Sequence, residues 1–554
     1  MLVRVTIFLL LASVSAFGQS VSSEQDFKRA LDEELAKHEN GAWLYSRSDV
    51  FRKNVLRHIN EKLHLGTTYE NKSGQMLPQS FQKFDGDVSN DIFPQNEPSV
   101  AIARGNPSRI LVGSNDGPED IRSMPAYLSN DGGITWNTSR MPSPPKPYVA
   151  FGDPFLTADQ YSGFYYAFLI QNDADYLSNI MVAHSPDGVS WFYGDPVIKN
   201  KKPDASVEDK ECVAVDLGHY SLTNGRVYVA WYHSEQSIEK SGLQLAWSDD
   251  FGVSWSKPVM VDSGDGFFSQ IQIDDFGNIY YSYSLYPFDA SISQHYLLVS
   301  HDHGATFTRR KMADFYNYPY SKFQYKPTLK GANGICAFPY ITINYDVQTG
   351  TLHAVYGSYK KWNDSLSTSV LYYTFTRDEG VTWSHPYAIG FQGDSAALKT
   401  DRFMPWVAVD ETTGNVHILY YSSENDSNNI KIEAYRVIFA KEVPLNYTRL
   451  SDSLFDPLHV TDYGNAPFVG DYIGCALQGT TSVYTWTENR KGLPPEQFAD
   501  GEIYAYVNSV SSGVSGFHQV SANALAIFSA YPNPAAKGRI TLGLAIPQSS
   551  AVSI

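Results

Sequence analysis

Short apolar runs recur along the middle of the chain, at 98–102 (PSVAI), 154–158 (PFLTA), 212–216 (CVAVD), 271–274 (IQID), 339–343 (PYITI), 405–410 (PWVAVD) and 471–476 (DYIGCA). Runs this short are the length of strands rather than helices. Most are followed, after a turn, by a second apolar strand rich in aromatic residues: 110–112, 164–168, 227–231, 279–281, 352–355, 416–419 and 483–486. That makes seven units, and the 371 residues from Val112 to Val483 span six steps of about 62. A unit of this length suits a four-stranded sheet whose two faces are buried by radial packing. The expected fold is all-β, a β-propeller of four-stranded blades: seven by this count, six if one hairpin is misread. The last two units place their third strands at 430–437 and 503–510.

A second repeat runs in step with the first. Ser-x-Asp-x-Gly-x-(Thr/Ser)-(Trp/Phe) occurs at 129–136, 248–255 and 300–307, opens with Thr at 376–383, and is one residue shorter at 185–191. Its aspartates are Asp131, Asp187, Asp250, Asp302 and Asp378, with gaps of 56, 63, 52 and 76. The carboxylate accepts backbone N–H bonds inside a tight hairpin, and the glycine supplies a left-handed φ. The closing Trp or Phe buries its ring between sheets. A structural role is therefore expected for all five aspartates, not a catalytic one.

The flanks read differently. Residues 1–18 carry Arg4, an apolar run and the small residues Val14-Ser15-Ala16, the pattern of a cleaved export signal. Residues 19–78 hold two amphipathic patterns, Phe27/Leu31/Leu35 and Val55/Ile59/Leu63, which predict a small helical prefix. The propeller is expected over 79–510, a small-residue linker over 511–526 and a short β-structured unit over 527–554.

Composition narrows the function. The chain has 554 residues, is 43% hydrophobic and 14% aromatic, and so has ample material for large cores. Its net charge of −17 with no basic block argues against nucleic acid and anionic lipid as partners. No run approaches the ~20 apolar residues of a membrane span. Cys212, Cys336 and Cys475 are too few for a disulfide framework and lack metal-ligand spacing, so buried thiols are expected. Asp85-Gly-Asp87 and Asp173-Ala-Asp175 read as plain turns rather than calcium loops. No cofactor or metal motif is visible.

The octamers are identified as Asp boxes, and residues 90–510 resemble the secreted BNR proteins of the sialidase superfamily. Arg402-Phe-Met-Pro-Trp-Val-Ala-Val-Asp410, Gly470-Asp-Tyr-Ile-Gly474 and Trp486-Thr-Glu-Asn-Arg490 carry the same resemblance. It implies a propeller acting on glycans, as an exo-glycosidase of sialidase type or as a glycan- or protein-binding module. A sialidase would hold its substrate with three arginines, the first in a Phe/Tyr-Arg-Ile-Pro motif. This chain has Gln95-Asn96-Glu97-Pro98 there. The YPNP run at 531–534 and the alternating segment after it resemble the C-terminal sorting domain of type IX secretion, shortened at Ile554. That resemblance implies a secreted or cell-surface protein and the type IX machinery as a partner.

Propellers hold ligands at the central mouth, so polar residues introducing first strands are the site candidates. Tyr472, Asp471 and Asp401 are expected in catalytic roles, with Tyr472 as nucleophile. Arg402, Glu97, Asp153, Asp209 and Glu211 are expected to bind substrate. Asp401, Arg402, Asp471 and Tyr472 begin consecutive units and are expected at one end of the channel.

Overall fold

The computed structural model describes residues 84–509 apart from 90–93, 117–122, 173–176, 201–205, 236–239, 265, 287–290, 322–325, 364–365, 391–399, 463–466 and 490–500, together with 526–531 and 541–545. Seven four-stranded antiparallel sheets follow one another along the chain. Their innermost strands are Gln95–Ile102, Tyr148–Ala158, Val207–Val215, Gly266–Ile273, Ile341–Asp346, Arg402–Val409 and Gly474–Gln478, defining blades 1 to 7. Each innermost strand neighbours the next, and that of blade 7 returns to that of blade 1. The protein is a seven-bladed β-propeller.

The ring is closed by a strand the sequence pattern did not reveal. Phe84–Asp87 is the outermost strand of blade 7, pairing with Glu502–Ser509 in the register Phe84↔Val507 to Asp87↔Tyr504. Asp85-Gly-Asp87, expected as a turn, is thus part of this strand, while Asp173 and Asp175 lie outside the described residues. Pairing the first strand with the last blade ties together two points over 400 residues apart and removes a sheet edge.

Burial explains why the blades need one another. Val182, Val213, Val229 and Trp231 share one buried cluster across blades 2 and 3, and Val355, Leu371, Val407 and Tyr420 share another across blades 5 and 6. A single blade would leave one face of each cluster in water. The octamer turns lock the outer edges in the way their composition predicts. In the first, Ser129 Oγ donates to Asp131 Oδ1 (2.8 Å), Gly133 N to Ser129 Oγ (2.8 Å), and Thr135 N and Oγ1 to the Asp131 carboxylate (2.9 and 2.6 Å). The same pattern recurs at Asp187, Asp250, Asp302 and Asp378. These hydrogen bonds from the turn hold the Asp302 and Asp378 carboxyls down at about 2. Gly133 and Gly188 have φ of 87° and 78°, and a Cβ there would strike Val507 and Leu128 of the preceding blade. Blade 6 closes instead with Lys441 and Glu442, both at left-handed φ, and blade 7 needs no such turn because its fourth strand comes from Phe84–Asp87.

Two long connections, 317–340 between blades 4 and 5 and 450–473 between blades 6 and 7, pack against each other. Cys336 N donates to Pro467 O (2.9 Å), and Leu329, Ala332 and Ile335 share a core with Phe455, Val460 and Val469. The first also meets blades 5 and 6, where Gly357 N donates to Tyr340 O (3.1 Å) and Ala332 N to Asn429 O (2.6 Å). Cys212, Cys336 and Cys475 are buried thiols. Among the described residues no helix is long and apolar enough to cross a membrane.

In a second unit, described by itself, Ala526–Tyr531 pairs antiparallel with Thr541–Ala545. The segments expected as an export signal (1–18) and a helical prefix (19–78) lie outside the described residues.

Candidate functional site

Five innermost strands carry the same two-residue bulge near their start, where pairing to the second strand skips. The first bulged residue has a left-handed φ although none is glycine: Glu97 (55°), Asp153 (54°), Lys210 (54°), Phe268 (54°) and Met404 (54°). Such a conformation costs a side chain about 1–2 kcal/mol, and bulges re-aim the residues they carry. Blades 1 to 3 spend this strain on charged groups, blades 4 and 6 on apolar ones. The mouth is therefore two-sided.

Lys210 is the hub of the charged side. Its Nζ lies 2.8 Å from Asp153 Oδ2, 2.8 Å from Asp471 Oδ2 and 3.9 Å from Asp209 Oδ1. It also sits 5.9 Å from the ring centroids of both Phe268 and Tyr472. Glu97 accepts from Asp471 N at Oε1 (3.0 Å) and from Asn115 Nδ2 at Oε2 (2.8 Å), while Asn115 Oδ1 accepts from Asp153 N (2.9 Å). Asp153 and Asp209 thus flank the same ammonium. Blades 7, 1, 2 and 3 are stitched together at this point.

Burial and charge split the carboxyls. Burial raises Asp209 to about 7, with Lys210 opposing it and the neighbouring Asp153 adding to it. Burial also acts on Asp153, but the ammonium of Lys210 outweighs it and holds that carboxyl below its usual value. Glu97 is pushed up to about 8 by burial, against the pull of Lys210. Glu211, buried and next to Asp153, is driven well above the carboxylate range. The four carboxylates around Lys210 raise its own value despite burial. Two carboxyls at one ammonium, one raised to about 7 and one held below its usual value, are the division that acid–base chemistry uses.

The structure thus brings together Glu97, Asp153, Asp209, Glu211, Asp471 and Tyr472, and it does not bring Asp401 or Arg402 to them. Arg402 is 1% exposed, pairs with Glu424 (3.0 Å), and runs against Gly390 between blades 5 and 6. Asp401 accepts from Ser369 N and Oγ (2.7 and 2.9 Å) and from Asn429 Nδ2 (2.7 Å), fastening blade 5 to blade 6. The expectation of a four-residue site across blades 6 and 7 is corrected on that geometry: at the start of blade 6 the polar pair points into the blade interface, and the bulge turns Met404 instead. Tyr472 is at the mouth, but its hydroxyl donates to Pro154 O (2.9 Å) and burial pushes its phenol well above the ordinary value. It has the setting of a wall residue rather than that of an activated nucleophile.

Lys210 belongs to the polar run Asp209-Lys210-Glu211 that introduces blade 3, but no role was expected of it, and Asn115 was not singled out. Lys210 stands three positions before Val213, as Glu97 stands before Val100 and Asp153 before Leu156, so aligning the units would have marked it. Asn115 has no such signal. Among the described residues no group of three or more His, Cys, Asp or Glu side chains is arranged to hold a metal ion.

A cavity of about 330 Å³ lies away from this cluster. It occupies the other half of the channel and opens among Arg104, Gly218, Asp275 and Glu411, at the exit ends of the innermost strands. Phe155 and Trp406, with ring centroids 5.8 Å apart, line it and also a cavity of about 40 Å³ beside Lys210 and Glu211.

No protein-family model matches the chain, and no curated protein does. Among solved structures it is similar to a protein of unknown function from Dyadobacter fermentans (12% identity, 78% of this chain and 100% of that one, TM-score 0.39). It is also similar to the phage phi92 endosialidase (9%, 88% and 78%, TM-score 0.44). A third is an α-L-arabinofuranosidase of Fusarium graminearum (9%, 66% and 95%, TM-score 0.40).

Proposed function

We propose that this chain is a glycan-acting propeller that hydrolyses a glycosidic bond at the mouth formed by blades 7, 1, 2 and 3. One observation carries the reading: Asp153 and Asp209 both face the Lys210 ammonium, at 2.8 and 3.9 Å, with Asp153 held below its usual value and burial raising Asp209 to about 7. Asp209 is the more exposed of the two, 34% against 15%. In this reading Asp209 protonates the leaving oxygen as the glycosidic C–O bond breaks. Water adds to the anomeric carbon and its proton returns to the pair, while ionised Asp153 faces the positive charge developing on the sugar. Because both carboxyls face one ammonium, they act together as one proton donor. Phe268 and Tyr472 supply apolar faces for the ring.

The substrate is a neutral glycan. Among the described residues Lys210 is the cation of the cluster, and two carboxylates, Asp153 and Asp471, already engage it. A second reading, glycan binding without turnover, is favoured by the setting of Tyr472.

The test is a panel of neutral aryl glycosides and an aryl sialoside, run beside a glycan array on wild type and Asp209→Asn. Turnover of a neutral glycoside is expected, declining as pH rises through about 7 and falling ~10²–10⁴-fold in Asp209→Asn with the melting temperature kept. Array binding with no turnover supports the second reading. Preference for the sialoside, or full activity in Asp209→Asn, refutes the first.

We further propose that the protein is exported, through a leader at 1–18 and a type IX sorting segment at 527–554. Mature extracellular protein retaining Met1 would overturn the leader.

A further inference from the structure

The half of the channel beyond Phe155 and Trp406 has its own chemistry. Each innermost strand pairs on one side only, so seven free strand edges face the axis. Unpaired backbone N–H and C=O groups need partners. Some are supplied from within: Ser99 Oγ accepts from Leu156 N (2.9 Å), Gln270 Oε1 from Ile343 N (2.6 Å) and Asn344 Oδ1 from Val409 N (3.0 Å). In each case a side chain of one blade caps the edge of the next. The rest of the edges look into the cavity.

These caps also orient the wall. Gln270 Oε1 is taken by Ile343 N, and Gln272 Oε1 accepts from Asn344 Nδ2 (3.2 Å), which leaves both amide NH₂ groups as donors on the lining. The polar side chains along the wall are neutral. Charge appears at the rim, where Arg104 and Glu411 pair at 2.6 Å, and where Asp274 is taken up by the backbone N–H groups of Phe276 and Asn278. The inner end is aromatic, formed by Phe155 and Trp406. At about 330 Å³ the cavity falls at the small end of ligand sites.

We infer that this half of the channel is a second binding site, separate from the charged mouth, for one small neutral polyol of monosaccharide size. Hydroxyl groups both donate and accept, so they match a wall that alternates backbone N–H, C=O and fixed amide donors. The apolar C–H face of the ring rests on Trp406 and Phe155. The charged groups of the lining stand at the rim and are engaged there: Arg104 with Glu411, Asp274 by Phe276 N and Asn278 N, and Asp275 by His219 N (2.7 Å). The inference does not depend on catalysis at the other mouth.

The test uses the full chain with D-galactose, L-arabinose and myo-inositol as probes, followed by ligand-observed NMR titration and by crystals soaked in each. Ala214→Leu narrows the channel, and Gln272→Leu removes an amide donor without adding bulk. Saturable binding of at least one probe is expected, with density against Trp406 and Gln272, and affinity about tenfold lower in each variant. Melting curves identify a variant that fails to fold, in which case the other carries the comparison. Density confined to the Lys210 mouth, absence of saturable binding for all three probes, or wild-type affinity in the folded variants would each overturn the inference.

Discussion

Replacing Lys210 by methionine tests the charge cluster most directly, because the side chain keeps its length and loses only its ammonium. At 2.8 Å and an effective dielectric of about 20, each ion pair with Asp153 and Asp471 is worth roughly 6 kcal/mol of Coulomb attraction. Most of that is offset by desolvation of groups only 11–15% exposed. What remains when one partner of a buried pair is removed is about 3–5 kcal/mol. The loss depends on pH. In wild type the depressed Asp153 contributes stability above its unfolded value of about 3.9, and loses it as pH falls through the folded value. In the variant the same carboxyl is buried without a countercharge, so its value rises; its stability is present below about 3.9 and lost as pH rises. Both trends widen the gap upward in pH. We expect a deficit of about 3–5 kcal/mol at pH 8 and about 1–2 kcal/mol at pH 4.5. With an unfolding entropy of ~2.1 cal/mol/K per residue over a propeller of about 430 residues, 1 kcal/mol is worth about 1 °C. Calorimetry of both proteins at the two pH values should therefore show the melting difference grow from about 1–2 °C to about 3–5 °C. A deficit equal at both pH values, or larger at pH 4.5, refutes the argument that Lys210 holds ionised carboxylates in place.

Asp250→Ala removes the acceptor for Ser254 N and Oγ and for Ser248 Oγ (2.9, 2.6 and 2.7 Å), and should cost about 1–3 kcal/mol in urea unfolding with glycan turnover or binding unchanged. Arg402→Ala should destabilise by about 3–5 kcal/mol, since it opens a buried cavity and leaves Glu424 without its partner; a melting temperature kept at the wild-type value would contradict a structural Arg402. His233 is raised above its ordinary value, first by its hydrogen bond to Glu208 (2.8 Å), so its stabilisation is complete below about 6.5 and lost as pH rises through the raised value. The stability difference between wild type and His233→Gln should shrink between pH 6 and pH 9, and a difference that grows over that range would count against the pairing.

Much of this propeller was determined locally, and so was legible in the sequence. Strand pairs recur because each blade must bury both faces, and the octamers recur because one short turn satisfies its own carboxylate, hydroxyl and amide groups. Both are written in residues a few positions apart. The seven-blade count followed from that, as did the placing of Glu97, Asp153, Asp209, Glu211, Asp471 and Tyr472 at strand starts. The tertiary structure decided what no local pattern contains. Phe84–Asp87 is a strand only because the ring must close on Glu502–Ser509. Arg402 and Lys210 both stand at the start of an innermost strand, yet one is turned into a blade interface and the other to the axis. The bulge falls on Lys210 itself in blade 3 but on Met404, two positions beyond Arg402, in blade 6, so only Lys210 is re-aimed by it. Lys210 acquires its role from carboxylates on blades 2 and 7, brought within 2.8 Å by radial packing alone.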